Sequence, residues 1–152
     1  MSINRTLDIK SDIADEKIAV INLLYTSNLL FDDMNSITKK FGVSIQQFNV
    51  LRILNGAEDS PVNMNYIQER MIHKMSNTSR IIDKLVDKEL ANRKVCDNNR
   101  RKIEINIGDK GVLLLNEISN LIDEKEKSVC SNLNSDELKQ LNQILDKLRT
   151  NE

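Results

Sequence analysis

Ile103, Ile105 and Ile107 alternate with Lys102, Glu104 and Asn106, a period of two in a chain whose apolar residues recur mainly at helical spacing. A half-buried strand of this kind needs a partner. Residues 93–96 supply one, with the polar run Asp97-Asn98-Asn99-Arg100-Arg101 as the turn between them. A lone hairpin among helices restricts the fold to mainly α with a small β element. Punctuation agrees, because four glycines and one proline are too few for a many-turned β-sandwich. At 152 residues, 39% hydrophobic and 30% charged with a net charge of −1, the chain reads as one globular unit spanning 1–152. Its longest apolar runs, such as residues 112–115, are four long, whereas a membrane span needs about 20. With no apolar leader at the start, no membrane is expected and the cytoplasm is the default location.

The helical stretches carry their own start signals. Ile13, Val20, Leu24, Phe31 and Ile37 mark one long helix ending near residue 40. Ser44 with Gln47 forms a capping box, and Val43 with Phe48 a hydrophobic staple, for a second helix that Gly56 ends. Asn63 caps a short third helix through Tyr66, Ile67 and Met71, and Ser76 is the expected cap of the next, whose Ile81, Ile82, Leu85 and Val86 share a face. Leu114, Leu115, Ile118, Leu121 and Ile122 define another helix behind Gly108. Asn134 and Glu137 then box the start of the last, where Leu138, Leu141, Leu145 and Leu148 form a 3-4-3 seam. So regular a seam predicts packing on another helix, from a second chain.

Charge is distributed unevenly. Residues 74–102 hold nine basic and four acidic side chains, while 103–152 hold six and ten. Because charges are screened beyond about 8–10 Å, the local +5 matters for phosphate contact more than the net −1. Short helix, short helix, basic helix, then an Arg-tipped hairpin is the order of a winged helix-turn-helix, and it falls on the basic segment. A recognition helix fits a major groove about 12 Å wide, and a hairpin tip can place arginine in the narrower minor groove.

Over nearly its whole length the chain resembles the MarR family of bacterial transcriptional regulators. The resemblance is carried by residues 43–51 (VSIQQFNVL), 77–85 (NTSRIIDKL) and the wing from Arg93 through Arg100-Arg101 to Ile107-Gly-Asp-Lys-Gly111. It implies a homodimer joined through 11–40 and 109–150, with a winged DNA-binding lobe at 43–108 reading half of a pseudo-palindromic duplex. It also implies a ligand crevice between the dimer helices and the lobe. Where the family usually has Asp before the wing arginines, Gly after the recognition helix and Thr opening the next helix, this chain has Asn99, Glu89 and Gly108.

The candidate DNA contacts are therefore Ser76, Asn77, Thr78, Ser79, Arg80 and Lys84 on the recognition helix, and Asn98, Asn99, Arg100 and Arg101 on the wing. Lys74 and Lys102 are candidate phosphate contacts. Leu138, Leu141, Leu145 and Leu148 are the candidate dimerisation residues. Tyr25 and Phe31 are candidate crevice residues for a small aromatic or apolar acid acting as effector, and a repressor is the expected role.

His73 is the single histidine, so no histidine metal cluster or triad can be assembled, and neither metal nor cofactor is expected. Cys96 and Cys130, 34 apart, form no CxxC pair and read as reduced thiols; the family's peroxide-sensing branch carries its cysteine in the first helix, where this chain has none. No Gly-rich phosphate loop supports an enzyme. The rival reading is a dimeric protein-interaction or ligand-binding module that keeps the winged fold without reading DNA.

Overall fold

Helix α2 (Asp15–Lys40) is the longest element, and its ends suit the backbone dipole, with Asp15 and Glu16 in the first turn and Lys39 and Lys40 in the last. The structure, a computed structural model, describes residues 3–8, 13–58, 60–72, 77–96 and 99–150, with the backbone alone at 96 and 99–102. One turn of helix that the sequence reading did not anticipate, α1 (Ile3–Thr6), packs on α2. At the far end of α2, Gly42 takes φ +71° and donates its N–H to the Lys39 carbonyl (3.0 Å). Nothing crowds a Cβ there, so glycine serves the backbone angle rather than the space.

Helix α3 (Ile45–Asn55) starts on the expected capping box. Ser44 Oγ accepts the Gln47 N–H at 3.2 Å, and Gln47 Oε1 accepts the Ser44 N–H at 2.9 Å. Helix α4 (Met64–Arg70) is capped by Asn63 Oδ1, which accepts the Tyr66 N–H at 2.9 Å. Helix α5 (Thr78–Asp87) leads into an antiparallel hairpin of β1 (Ala91–Cys96) and β2 (Asn99–Ile107), in register from Ala91 opposite Ile107 to Val95 opposite Ile103. Val62 adds a bridge to β2, exchanging both backbone hydrogen bonds with Ile105 at 2.9 and 2.8 Å. Helix α6 (Asp109–Val129) begins at Gly108, which offers no side-chain cap, and α7 (Ser135–Arg149) begins on the Asn134–Glu137 box.

The apolar faces of these elements meet in one core. α3 contributes Phe48, Val50, Leu51 and Leu54; α4, Ile67; α5, Ile81, Ile82 and Leu85; β2, Ile105; and α6, Leu115, Ile118 and Ile122. Each such side chain, fully buried, contributes about 1.5–3 kcal/mol. Helix α6 runs on past the core to α2, where Lys125 pairs with Asp33 at 2.8 Å. By contrast α7 buries no residue, and Leu141, Ile144 and Leu148 stand 43%, 62% and 61% exposed.

The end of α5 is built tightly onto α6. The Glu89 N–H donates to the Val86 carbonyl and the Leu90 N–H to the Leu85 carbonyl, both at 2.9 Å, which is the Schellman closure. That closure needs a left-handed residue, and Glu89 takes it at φ +59°, a conformation costing a non-glycine residue on the order of 1 kcal/mol. The Leu90 carbonyl then accepts the Gly108 N–H at 3.0 Å, and a Cβ on Gly111 would lie 2.1 Å from the same oxygen. Only glycine lets the first turn of α6 come so close.

Candidate nucleic-acid interface

Helical phase divides α5 into two faces. Thr78, Ile81, Ile82 and Leu85, at i, i+3, i+4 and i+7, are buried, while Asn77, Ser79, Arg80 and Lys84 are exposed. Thr78 was expected on the DNA-facing side; with no exposed surface it belongs to the core instead. The expected cap also moves. Asn77, not Ser76, occupies the N-cap position, and its ψ of 25° departs from the extended geometry in which a cap side chain reaches back to the helix, so no side-chain cap forms. Burial of Thr78 fixes the helix start there. Ser76, Lys74 and His73 lie outside the described residues.

Arg80 and Lys84 leave the exposed face with two cations that make no ion pair among the described residues. The neighbouring acid is engaged elsewhere: Asp83 Oδ1 accepts a 2.6 Å bond from Arg93 Nη1, tying α5 to β1. A negative charge that would repel phosphate is thereby offset. On α4, the Arg70 guanidinium lies 3.5 Å from the Tyr66 ring centroid and bonds the Tyr66 carbonyl at 3.3 Å.

The hairpin is longer than the alternation suggested. β2 starts at Asn99, so the backbone of Asn99, Arg100 and Arg101 is strand rather than the expected turn, and Asn99 pairs with Cys96 across an irregularity after Val95. Polar residues read as a turn, yet a solvated ladder needs only backbone partners. Lys102 is also in β2. The side chains of Asn99, Arg100, Arg101, Lys102 and Cys96, and all of Asn98, lie outside the described residues.

A second feature lies on the other elements, with neither α5 nor the hairpin lining it. Between α2, α7 and the end of α6 on one side, and α3 with Met71 and Ile72 on the other, lies an apolar cavity of about 730 Å³. Phe31 lines it as expected, with Leu23, Leu30, Met34 and Leu145 among its neighbours, but Tyr25 does not. The cavity stripe on α2 runs 19, 22, 23, 26, 27, 30, 31, 34, and Tyr25 falls off it by helical phase. Polar groups that sequence reading missed share the wall, among them Arg52, Glu126 and the buried Asn49, whose Nδ2 donates to Met71 Sδ at 3.7 Å. Asn49 had no local signal, since its position depends on how α3 meets the segment after α4.

Glu89, two residues past α5, pairs with Lys110 in the first turn of α6. Its carboxylate accepts a hydrogen bond from Lys110, and this bond with the lysine's charge holds its pKa below the ordinary carboxylate value. Among the described residues no cluster of three or more His, Cys, Asp or Glu could hold a metal ion, and no helix is long and apolar enough to cross a membrane.

Two short helices, an exposed basic helix and a hairpin, flanked by long helices, define a winged helix-turn-helix protein. The MarR family profile matches residues 43–103. The transcriptional regulator MgrA of Staphylococcus aureus is 29% identical over 114 residues, 75% of each chain. Among solved structures, a MarR transcription factor from Planctomyces limnophilus aligns at TM-score 0.69 with 26% identity, covering 90% of this chain and 98% of that one. The S. aureus MepR–DNA complex aligns at TM-score 0.77 with 19% identity, covering 89% and 96%. These matches support a MarR-family transcriptional regulator, a family whose members are not enzymes.

Proposed function

We propose that this regulator is a homodimer that reads a pseudo-palindromic DNA duplex with α5 in the major groove and the wing in the minor groove, and represses transcription until an effector enters the cavity. The observation that carries the reading is the outer face of α5, where Asn77, Ser79, Arg80 and Lys84 stand exposed and the two cations make no ion pair among the described residues. The DNA seen with the structurally similar MepR supports it. In this reading Asn77 and Ser79 face base edges, Arg80, Lys84, Lys74 and Lys102 neutralise phosphates, and Arg100 or Arg101 enters the minor groove.

The uncovered apolar face of α7 supports the dimer. Leu141, Ile144 and Leu148, which also form the α7 wall of the cavity, stand exposed, and a second copy of α7 and α2 would cover them there, leaving the effector the end of the cavity beside Arg52 and Met71. Residues 43–108 then form the DNA-binding lobe, and 11–40 with 109–150 the dimerisation region. The cavity's apolar walls, with Arg52 beside them, suit a small aromatic or apolar acid whose carboxylate pairs with the guanidinium. An occupant touching Met71 and Ile72 bears on the segment that leads into α5, so it can change the separation of the two lobes.

Genomic fragments retained by the purified chain test the reading. The reading expects a shared inverted repeat whose half-sites are about one helical turn, ~34–36 Å, apart. Retention without any shared sequence would favour the interaction module over the regulator.

A further inference from the structure

We propose that Glu89 and Lys110 form a positioning strut that trims the angle of α5 against α6 and, resting on the dimer proposed above, the separation of the two recognition helices. Three contacts join these helices at one corner. The Leu90 carbonyl accepts the Gly108 N–H, the missing Cβ of Gly111 admits that same carbonyl, and the Glu89 carboxylate pairs with Lys110. The first two fix the position of the corner and act through one oxygen, which is a pivot. Both helices also pack on α3 in the shared core, which holds their angle coarsely and leaves the corner to trim it. The ion pair is a third point away from the pivot, joining the second residue after α5 to the first turn of α6.

The residue types make sense only together. Glycine would take φ +59° at Glu89 without strain, and a lysine in the first turn of α6 opposes the helix dipole. Each choice is locally unfavourable by itself. Paired, the carboxylate compensates the charge of Lys110 in the uncapped first turn of α6. Both side chains are largely exposed, so the pair adds little to global stability and its contribution is orientation. Of the other charged groups nearby, Lys88 donates to the Gly42 carbonyl, Arg93 is held by Asp83, and Asp109, beside Lys110 in the first turn of α6, makes no ion pair among the described residues.

Pulsed dipolar EPR tests the strut directly. Nitroxides at Ser79→Cys and Glu117→Cys, in a Cys96→Ser, Cys130→Ser background diluted with unlabelled chain, report α5 against α6 within one chain. Glu89→Gln and Lys110→Gln should each widen that distance distribution about twofold with little change in melting temperature, and 1 M NaCl should do the same to the parent. The swap Glu89→Lys with Lys110→Glu should narrow it again. Unchanged widths, or a swap that fails to restore them, would overturn the strut. Labelled at Ser79→Cys alone, the chain reads the separation across the dimer. No interchain distance in the parent overturns the dimer and the second half of the proposal with it. A parent distance that Glu89→Gln leaves as narrow overturns the strut alone.

Discussion

The winged lobe and the helices that flank it are built to different standards of closure. From Val43 to Ile122 the apolar residues of six helices and strands converge on Leu51, Ile67, Ile82 and Ile105, each with no exposed surface. Helix α2, 26 residues long, buries Thr38 alone, and the fifteen residues of α7 bury none. Yet α7 has as regular an apolar seam as α5. The difference teaches that amphipathicity fixes a helix's facing and not its partner. A lobe that covers its own seams folds as a unit, and helices that leave theirs open imply a surface still to come.

Cutting into the closed region should have the largest effect. Leu51→Ala should cost about 2–5 kcal/mol in denaturant unfolding, from lost transfer energy and an unfilled cavity. Gly111→Ala attacks the same region from its edge, because the new Cβ would meet the Leu90 carbonyl at 2.1 Å and force α6 outward. A loss of about 1–3 kcal/mol is expected there, read as a lower melting temperature. A Leu51→Ala chain as stable as the parent would erase the contrast.

Polar substitution in the open region should act differently. Leu141→Asp with Leu145→Asp is expected to turn a particle of twice 17.5 kDa into a monomer or aggregate in sedimentation, and to abolish the dependence of melting temperature on protein concentration. The DNA face should respond with smaller and more selective changes. Arg100→Ala is expected to weaken duplex binding by about 1–3 kcal/mol while leaving unfolding unchanged. Lys84→Ala should weaken specific and random duplexes alike and reduce the salt slope by about 1.

How far these regions were legible in the sequence depends on the range of the cause. Ser44 with Gln47, Asn63, and Asn134 with Glu137 were readable because a cap is satisfied within three residues. The hairpin was readable from Ile103, Ile105 and Ile107, but its upper limit was not, since nothing local says that the ladder continues to Asn99. Asn77 as cap, and Thr78 as a core rather than DNA-facing residue, follow from where α5 docks. The Val62–Ile105 bridge joins residues 43 apart through backbone atoms that carry no sequence signal. Phe31 and Tyr25 differ only by phase around α2, and that phase gains meaning once α3 and α7 are in place.

Acid should have the smallest effect of all. With its folded pKa depressed by Lys110, Glu89 contributes to folding fully above the ordinary carboxylate range, and loses that contribution as pH falls through its lower folded value. Chemical-shift titration of the Glu89 carboxylate should place its midpoint below that of the Glu89 chain in Lys110→Gln. Equal midpoints would separate the two residues in solution.

The central claim is that the closed lobe reads DNA and the open helices pair two such lobes. Sedimentation equilibrium of the chain with a duplex it retains from genomic DNA tests both at once. The account predicts two chains on each duplex and two chains without it. One chain bound per duplex, or a free 17.5 kDa monomer that nevertheless binds, would contradict it.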